Sequence, residues 1–158
     1  IIREVLTLIT HMQKYRECRL EFDYGEACLI QINGHEIKQV VLNLVANALD
    51  ATGVKGHVKV AIVEQVDAIE VRISDDGCGM SAEDLENLFD PFYTTKPAGQ
   101  GTGLGLSISH RIVTDHGGRI EASSPGPDQG STFVLCLPRQ QAEQDNESIE
   151  TRLAYLMK

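Results

Sequence analysis

The run NLVANALDA, residues 43–51, sets two asparagines one helical turn apart in an otherwise apolar stretch. Asparagine is a poor helix former, because its side chain competes for backbone hydrogen bonds. An amide carbonyl nevertheless has a use in such a place. It offers oxygen to a hard cation without adding charge, which suits magnesium that already carries phosphate oxygens. At about 100° per residue, Glu36, Gln39, Asn43, Asn47 and Asp50 fall within a wedge of about 80°. Ile37, Val41, Leu42, Leu44, Val45, Ala48 and Leu49 cover the other side. A wedge that simply faces water is the alternative reading, although exposed wedges more often carry Lys and Glu.

Two glycine-rich stretches add to this. In DDGCGM, Asp75 ends an apolar run and could accept a hydrogen bond from a ligand amine, while Gly77 and Gly79 allow a flat ligand to lie against the backbone. Alone, that stretch reads more simply as a turn with two solvated acids. In GQGTGLGL, Gly99, Gly101, Gly103 and Gly105 come just before helical spacing, where backbone N–H groups make an anion cradle. The spacing is neither a P-loop nor a dinucleotide-binding fingerprint, and a glycine ladder alone is a weak signal. Taken together, the three features imply one ligand. An acid for an amine, amides for magnesium and a helix start for phosphates are the requirements of Mg–ATP.

The elements that must position these groups follow from periodicity. IIREVLTLITHMQKY carries a helical stripe; CRLEFDY and ACLIQI read as strands. A long helix runs from about His35 to Ala51 and stops at Gly53 and Gly56. HVKVAIVEQ and AIEVRISD form an antiparallel hairpin. Ser81 caps a short helix in SAEDLENLF. From Asp90 to Gly103 the pattern dissolves into a loop too long for an ordinary connection. TGLGLSISHRIVTDH returns to helix, and RIEASS and STFVLCLP close the chain as paired strands joined by PGPDQG. The expected class is α+β, a two-layer sandwich in which a mostly antiparallel sheet of about five strands packs on three helices. Residues 1–138 make the domain; 139–158 read as a linker or a short amphipathic tail helix.

At 158 residues the chain is one domain. Its net charge of −9 argues against a nucleic-acid surface. Between Glu64 and Asp90 nine acids face only Arg72, which is either a solvated acidic face or a site whose anionic ligand arrives with a cation. Cys18, Cys28, Cys78 and Cys136 lack metal-binding spacing and read as idle thiols in a reducing cytoplasm. No apolar run is long enough to span a bilayer. The opening IIREVL, without Met, reads as the start of a piece excised from a longer protein, whose parent could still be membrane-anchored.

The order of these motifs resembles the catalytic and ATP-binding domain of sensor histidine kinases, within the Bergerat-fold (GHKL) ATPases. HEIKQVVLNLVANALDA is similar to the N box, DDGCGM to the first glycine box, LFDPFYTTK to the F box and GTGLGLSISHRIVTDHGG to the second glycine box. The TTK and NALDA stretches look most like the nitrogen-regulator type. The resemblance covers residues 1–138. It implies that Asn47 coordinates magnesium, Asn43 stands by the phosphates, and Asp75 binds the adenine amine of ATP or ADP, with Gly77, Gly79 and Met80 shaping that end. It further implies that Phe89 and Phe92 anchor a mobile lid carrying Thr94, Thr95 and Lys96. Lys96 would reach the phosphates, and Gly101, Thr102, Gly103, Leu104, Gly105 and Leu106 would hinge the lid and present amides to them. Without nucleotide the lid is expected to be disordered or variable.

Asn43 discriminates within this superfamily, since the hydrolysing relatives (MutL-like and Hsp90-like) hold a water-activating Glu there, and an amide cannot act as a general base. The implied chemistry is transfer of the γ-phosphoryl to a histidine by positioning and charge neutralisation. Three departures stand out. Asp76 replaces the usual Asn and adds negative charge near the ligand. Asp50, itself expected among the nucleotide-binding residues, stands where many kinases have Lys or Arg, which shifts phosphate affinity to Lys96 and backbone amides, with Arg111 a weaker helper. No H box of the form His-Glu-x-x-Asn-Pro occurs; His35 is a decoy, and His11, His57, His110 and His116 are surface or helix-end residues. The phosphoacceptor and dimerisation domain is therefore expected before residue 1. This chain would be monomeric and cytoplasmic, its parent a homodimer that passes phosphate to a response regulator. The competing readings are a regulatory nucleotide-binding module without catalysis and a self-sufficient GHKL ATPase.

Overall fold

The computed structural model describes residues 1–24, 30, 32–97, 99 and 101–139, without the side chain of Tyr24. Among these residues the order is α1 (Ile2–Thr10), a single 3-10 turn at Gln13–Tyr15, β1 (Arg19–Tyr24), α2 (Gly34–Thr52), β2 (His57–Glu64), β3 (Ala68–Asp75), α3 (Ala82–Asn87), α4 (Gly105–Asp115), β4 (Arg119–Ser123) and β5 (Ser131–Pro138). The strands form one sheet in the order β1-β2-β3-β5-β4. Pairing of β2 with β3, β3 with β5 and β5 with β4 is antiparallel, whereas β1 runs parallel to β2. The expected two-layer α+β class holds, and the sheet is mixed because α2 carries the chain back over the sheet between β1 and β2, as a parallel pair requires.

Period-two burial builds the core. Val60, Ile73 and Phe133 pair in register across three strands, as do Ile62, Val71, Leu135 and Ile120 across four. On this floor lie Ile37, Val40, Val41, Leu44, Val45, Ala48 and Leu49 of α2, all buried. Val5, Leu6 and Ile9 of α1 and Val113 of α4 flank them in the same cluster. Asn33 starts α2 by accepting from the His35 and Glu36 N–H groups, and the Ser81–Asp84 capping box starts α3.

The strand expected over ACLIQI lies mostly outside the described residues; Ile30 and Ile32, which are described, belong to no strand and pack partly against the core. The tail expected over 139–158 is described only at Arg139, whose guanidinium pairs with Glu64. Cys18, Cys78 and Cys136 are free thiols, Cys78 exposed and Cys136 buried; Cys28 lies outside the described residues. Among the described residues no helix is long and apolar enough to cross a membrane.

Candidate functional site

The site forms where α2, the end of β3 and the start of α4 meet. Asp75 continues the inward-facing row of Val71 and Ile73, so alternation alone aims its carboxylate at the helical layer. Its Oδ1 accepts the Gly77 N–H at 2.9 Å; its Oδ2 is buried and has no hydrogen-bond partner among the described residues. Burial pushes the Asp75 carboxyl up from the usual range; the N–H groups of Gly77 and Ser131 oppose this and the neighbouring Asp76 charge adds to it. A buried carboxylate oxygen without a partner is costly unless a donor arrives.

Gly77 is dictated by close approach. A Cβ there would lie 2.5 Å from the carbonyl carbon and oxygen of Ala51, and the Cys78 N–H donates to that same oxygen at 3.1 Å. The turn after β3 is thus pinned to the C-terminal end of α2. Gly79 has positive φ, and the Met80 N–H donates to Ser124 Oγ at 3.0 Å. Asp76, expected to add charge near the ligand, turns Oδ1 to the His57 N–H at 2.8 Å and caps the start of β2, while its charge still acts on Asp75. The alternation that points Asp75 inward points Asp76 the other way.

On α2, Asn43 and Asn47 are half-buried. Asn43 Nδ2 donates to Ser109 Oγ at 3.0 Å, and Ser109 is 3% exposed. Asn43 Oδ1 lies against Gly105, where a Cβ would meet it at 2.5 Å. The amide thus fits the first turn of α4 only because residue 105 has no side chain. Leu104 is the N-cap of α4 and no side chain caps that turn, which leaves its N–H groups to an anion. Leu106 packs partly against the core.

In the loop between α3 and α4, Phe89 packs partly against the core, its ring centroid 4.8 Å from that of His110. Phe92, expected to anchor this loop as Phe89 does, holds it by backbone instead. Its N–H donates to the Gly103 carbonyl at 2.9 Å, with φ at 70° and the ring 73% exposed. Tyr93 donates to Asp84 at 2.6 Å, and this bond pushes its phenol up to about 12. Thr94 Oγ1 accepts the Lys96 N–H and packs against Gly101; Thr102 Oγ1 accepts the Leu104 N–H; Thr95 is exposed. The expected variability of this loop includes residues 98 and 100, which lie outside the described residues.

Lys96 turns towards α2. Its Nζ lies 2.8 Å from Asp50 Oδ2 and 3.4 Å from Asn47 Oδ1. Asp50 Oδ1 also accepts from Lys14 Nζ at 2.5 Å and Tyr15 OH at 2.8 Å. Burial alone would raise the Asp50 pKa; the bonds from Lys14, Lys96 and Tyr15 outweigh it and hold the carboxyl at about 2. The sequence reading missed Lys14, Tyr15 and Ser109. Ser109 carried a signal, a small polar residue one turn after Gly105; the other two carried none. Arg111, the expected helper, faces Asp115 at 3.9 Å and is largely exposed.

Among the described residues no group of three or more His, Cys, Asp and Glu side chains could hold a metal by itself. The donors that remain are the Asn43 and Asn47 carbonyls, neutral oxygens fitted to a magnesium that brings phosphate ligands with it. With the partnerless Asp75 oxygen and the uncapped α4 start, the residues present fit Mg–ATP.

The sequence profile of the histidine kinase-, DNA gyrase B-, and HSP90-like ATPases matches residues 32–141. The chain belongs to this ATPase family. The ATPase domain is 37% identical over 139 residues to the sensor histidine kinase ZraS of Escherichia coli (strain K12), a match covering 87% of this chain and 29% of ZraS. It therefore spans under a third of that relative. Among solved structures it is similar to the catalytic domain of histidine kinase ThkA, with 34% identity and a TM-score of 0.77 over 87% of this chain and 91% of that one. ThkA in complex with the response regulator protein TrrA matches with 30% identity and a TM-score of 0.75, over 90% of this chain and 40% of that one. Residues 32–141 enclose α2, the Asp75 turn, the Lys96 loop and α4.

Proposed function

We propose that residues 1–138 bind Mg–ATP and transfer its γ-phosphoryl to a histidine on a separate phosphoacceptor domain, in two-component signalling. Asp75 receives the adenine amine on its partnerless Oδ2, with Gly77, Gly79 and Met80 forming the adjoining turn. The uncapped start of α4 receives phosphate oxygens, Asn43 stands by the phosphates, and Asn47 holds the magnesium. When bound, magnesium neutralises phosphate charge beside an acidic surface. Catalysis by such residues is positioning plus electrostatics.

The observation that carries transfer over hydrolysis is the protonation chemistry of the α2 wedge. Asn43 and Asn47 are amides, and Asp50, held at about 2 between two lysines, is far too weak a base to activate water at neutral pH. Glu36, at the opposite end of α2, faces His116 Nε2 at 3.3 Å. An imidazole acceptor, already nucleophilic when neutral, needs no such base. The ZraS and ThkA similarities agree with this reading, and the ThkA–TrrA complex supports a response regulator as the next acceptor.

Incubation with labelled ATP and the phosphoacceptor hairpin of the parent protein is expected to give acid-labile phosphohistidine, with little free phosphate. Proven ADP binding without transfer would favour a second reading, a nucleotide-binding module that does not catalyse. The engagement of Lys96 by Asp50 favours that reading. Steady phosphate release by this chain alone would overturn both.

A further inference from the structure

One carboxylate beside the site is bonded to three side chains from two distant segments, and it belongs to a residue that need not touch the ligand. Asp50 sits three residues after Asn47 on the same wedge, and its side chain is 20% exposed. Its two oxygens are divided between two parts of the chain. Oδ1 takes Lys14 and Tyr15, from the turn after α1; Oδ2 takes Lys96, from the loop before α4. The sequence separations are 36, 35 and 46 residues, so neither contact is a helix-surface pair. The Lys96 ammonium that Asp50 holds also lies 3.4 Å from Asn47 Oδ1, the atom offered to magnesium.

Three physical points bear on what this arrangement does. A carboxylate facing phosphates would repel them, yet Asp50 is covered by two ammonium groups and a phenol, so the cluster of Lys14, Asp50 and Lys96 carries net positive charge. A lone surface ion pair contributes little, because ordering two long side chains offsets the attraction. Here the carboxylate is already fixed by Lys14 and Tyr15, so Lys96 meets a preset acceptor. And because Lys14 and Tyr15 stay on Oδ1, Lys96 can turn from Oδ2 to an arriving anion without leaving a part-buried charge unpaired.

We propose that Asp50 is a positioning residue that stations the Lys96 ammonium beside the Asn47 carbonyl, with Lys14 and Tyr15 holding the carboxylate in register. It acts on nucleotide through Lys96, making no contact of its own. This rests on the reading of the α2 wedge as the phosphate end of the site. Residue 50 then supplies positive charge indirectly, by holding a cation from another segment.

Two measurements on the 158-residue chain test the proposal, the first without nucleotide. Lys96 is acylated by a small amine-reactive reagent and quantified by mass spectrometry. Asp50→Asn is expected to speed labelling of Lys96 about fivefold or more, as expected when a charge-assisted hydrogen bond is lost, with other exposed lysines unchanged. Equal rates would overturn the proposal whether or not the domain is a kinase. The second is a double-mutant cycle on ADP affinity with magnesium, by calorimetry. Lys96→Met and Asp50→Asn are each expected to weaken binding about three- to tenfold, and the double variant should be no weaker than Lys96→Met alone, since both remove one interaction. Additive losses, or tighter binding by Asp50→Asn, would overturn the proposal and show direct action of Asp50 on the ligand. Absence of ADP binding in the unsubstituted chain would instead sink the Mg–ATP reading, with the labelling result still deciding the role of Asp50. Lys14→Met with Tyr15→Phe, at unchanged melting temperature, is expected to reproduce part of the Asp50→Asn labelling effect; no change there overturns the supporting role of these two residues.

Discussion

The two ends of the site are held by different kinds of contact. At the Asp75 end, backbone groups do the holding: the Gly77 N–H binds Asp75, the Cys78 N–H binds the Ala51 carbonyl, and the Gly130 N–H binds the Gly77 carbonyl. At the Asn47 end, three long side chains from two segments converge on one carboxylate. Short backbone bonds fix atoms with little freedom left to lose, whereas lysines carry several rotors and can change partner. On the proposed Mg–ATP reading, the first end suits a flat, rigid group and the second suits one whose charge changes as it reacts. The two carboxyls differ in the same sense. Asp75 is pushed up by burial and left with an open oxygen; Asp50 is pulled down to about 2 by its partners.

Breaking the rigid end should cost most. Gly77→Val forces a Cβ onto the Ala51 carbonyl and must separate the turn from α2. We expect a loss of about 1–3 kcal/mol or more in denaturant stability, the range for overpacking. The nucleotide-dependent rise in melting temperature should disappear with it. Asp75→Asn comes next and separates binding from folding. Calorimetry should show ADP affinity falling at least about tenfold, as expected when a charge-assisted bond is lost. The melting temperature without nucleotide should not fall, since a partnerless charge has been removed.

The opposite displacements of the two carboxyls give opposite pH dependences. Asp50 contributes stability above its ordinary value of 3.8, and loses it as pH falls through about 2. Asp75 is raised, so its contribution is present in acid and is lost as pH rises from its unfolded value through its higher folded one. Denaturation midpoints followed from pH 2 to pH 6 should therefore show Asp50→Asn flattening the acid leg and Asp75→Asn flattening the leg above it. Identical pH profiles for the two variants would erase the contrast. The smallest effect is expected from Ser109→Ala, which frees Asn43 Nδ2: about 1 kcal/mol, a loss of about fivefold in ADP affinity, measured by calorimetry at unchanged magnesium.

Local pattern made most of the elements legible. Ser81 with Asp84 marked the start of α3, the apolar stripe marked α2, and alternating Val and Ile marked the β2–β3 hairpin. Such signals depend on residues within a few positions of one another. The bond from the His57 N–H to Asp76 was not legible, because it rests on β2 lying beside the end of β3. Nor was the place of β5 between β3 and β4, or the parallel course of β1, since strand neighbours are chosen by long-range packing. The family resemblance implied an anchoring role for Phe92, whose φ is positive, whose ring is exposed and whose backbone N–H bonds the Gly103 carbonyl.

By itself the sequence determined which chemistries were present: two amides in a helix wedge, an acid before a glycine turn, and a glycine-rich helix start. Composition and spacing suffice for this, because residue type sets what a group can donate, accept or ionise. Tertiary structure alone decided how those groups are paired. Only the folded chain puts Ser109 on Asn43, leaves Asp75 with an open oxygen, and gathers Lys14, Tyr15 and Lys96 around Asp50. Electrostatic character follows distance in space, so a carboxylate that reads in the sequence as a repulsive neighbour for phosphate becomes, in the fold, the holder of a cation.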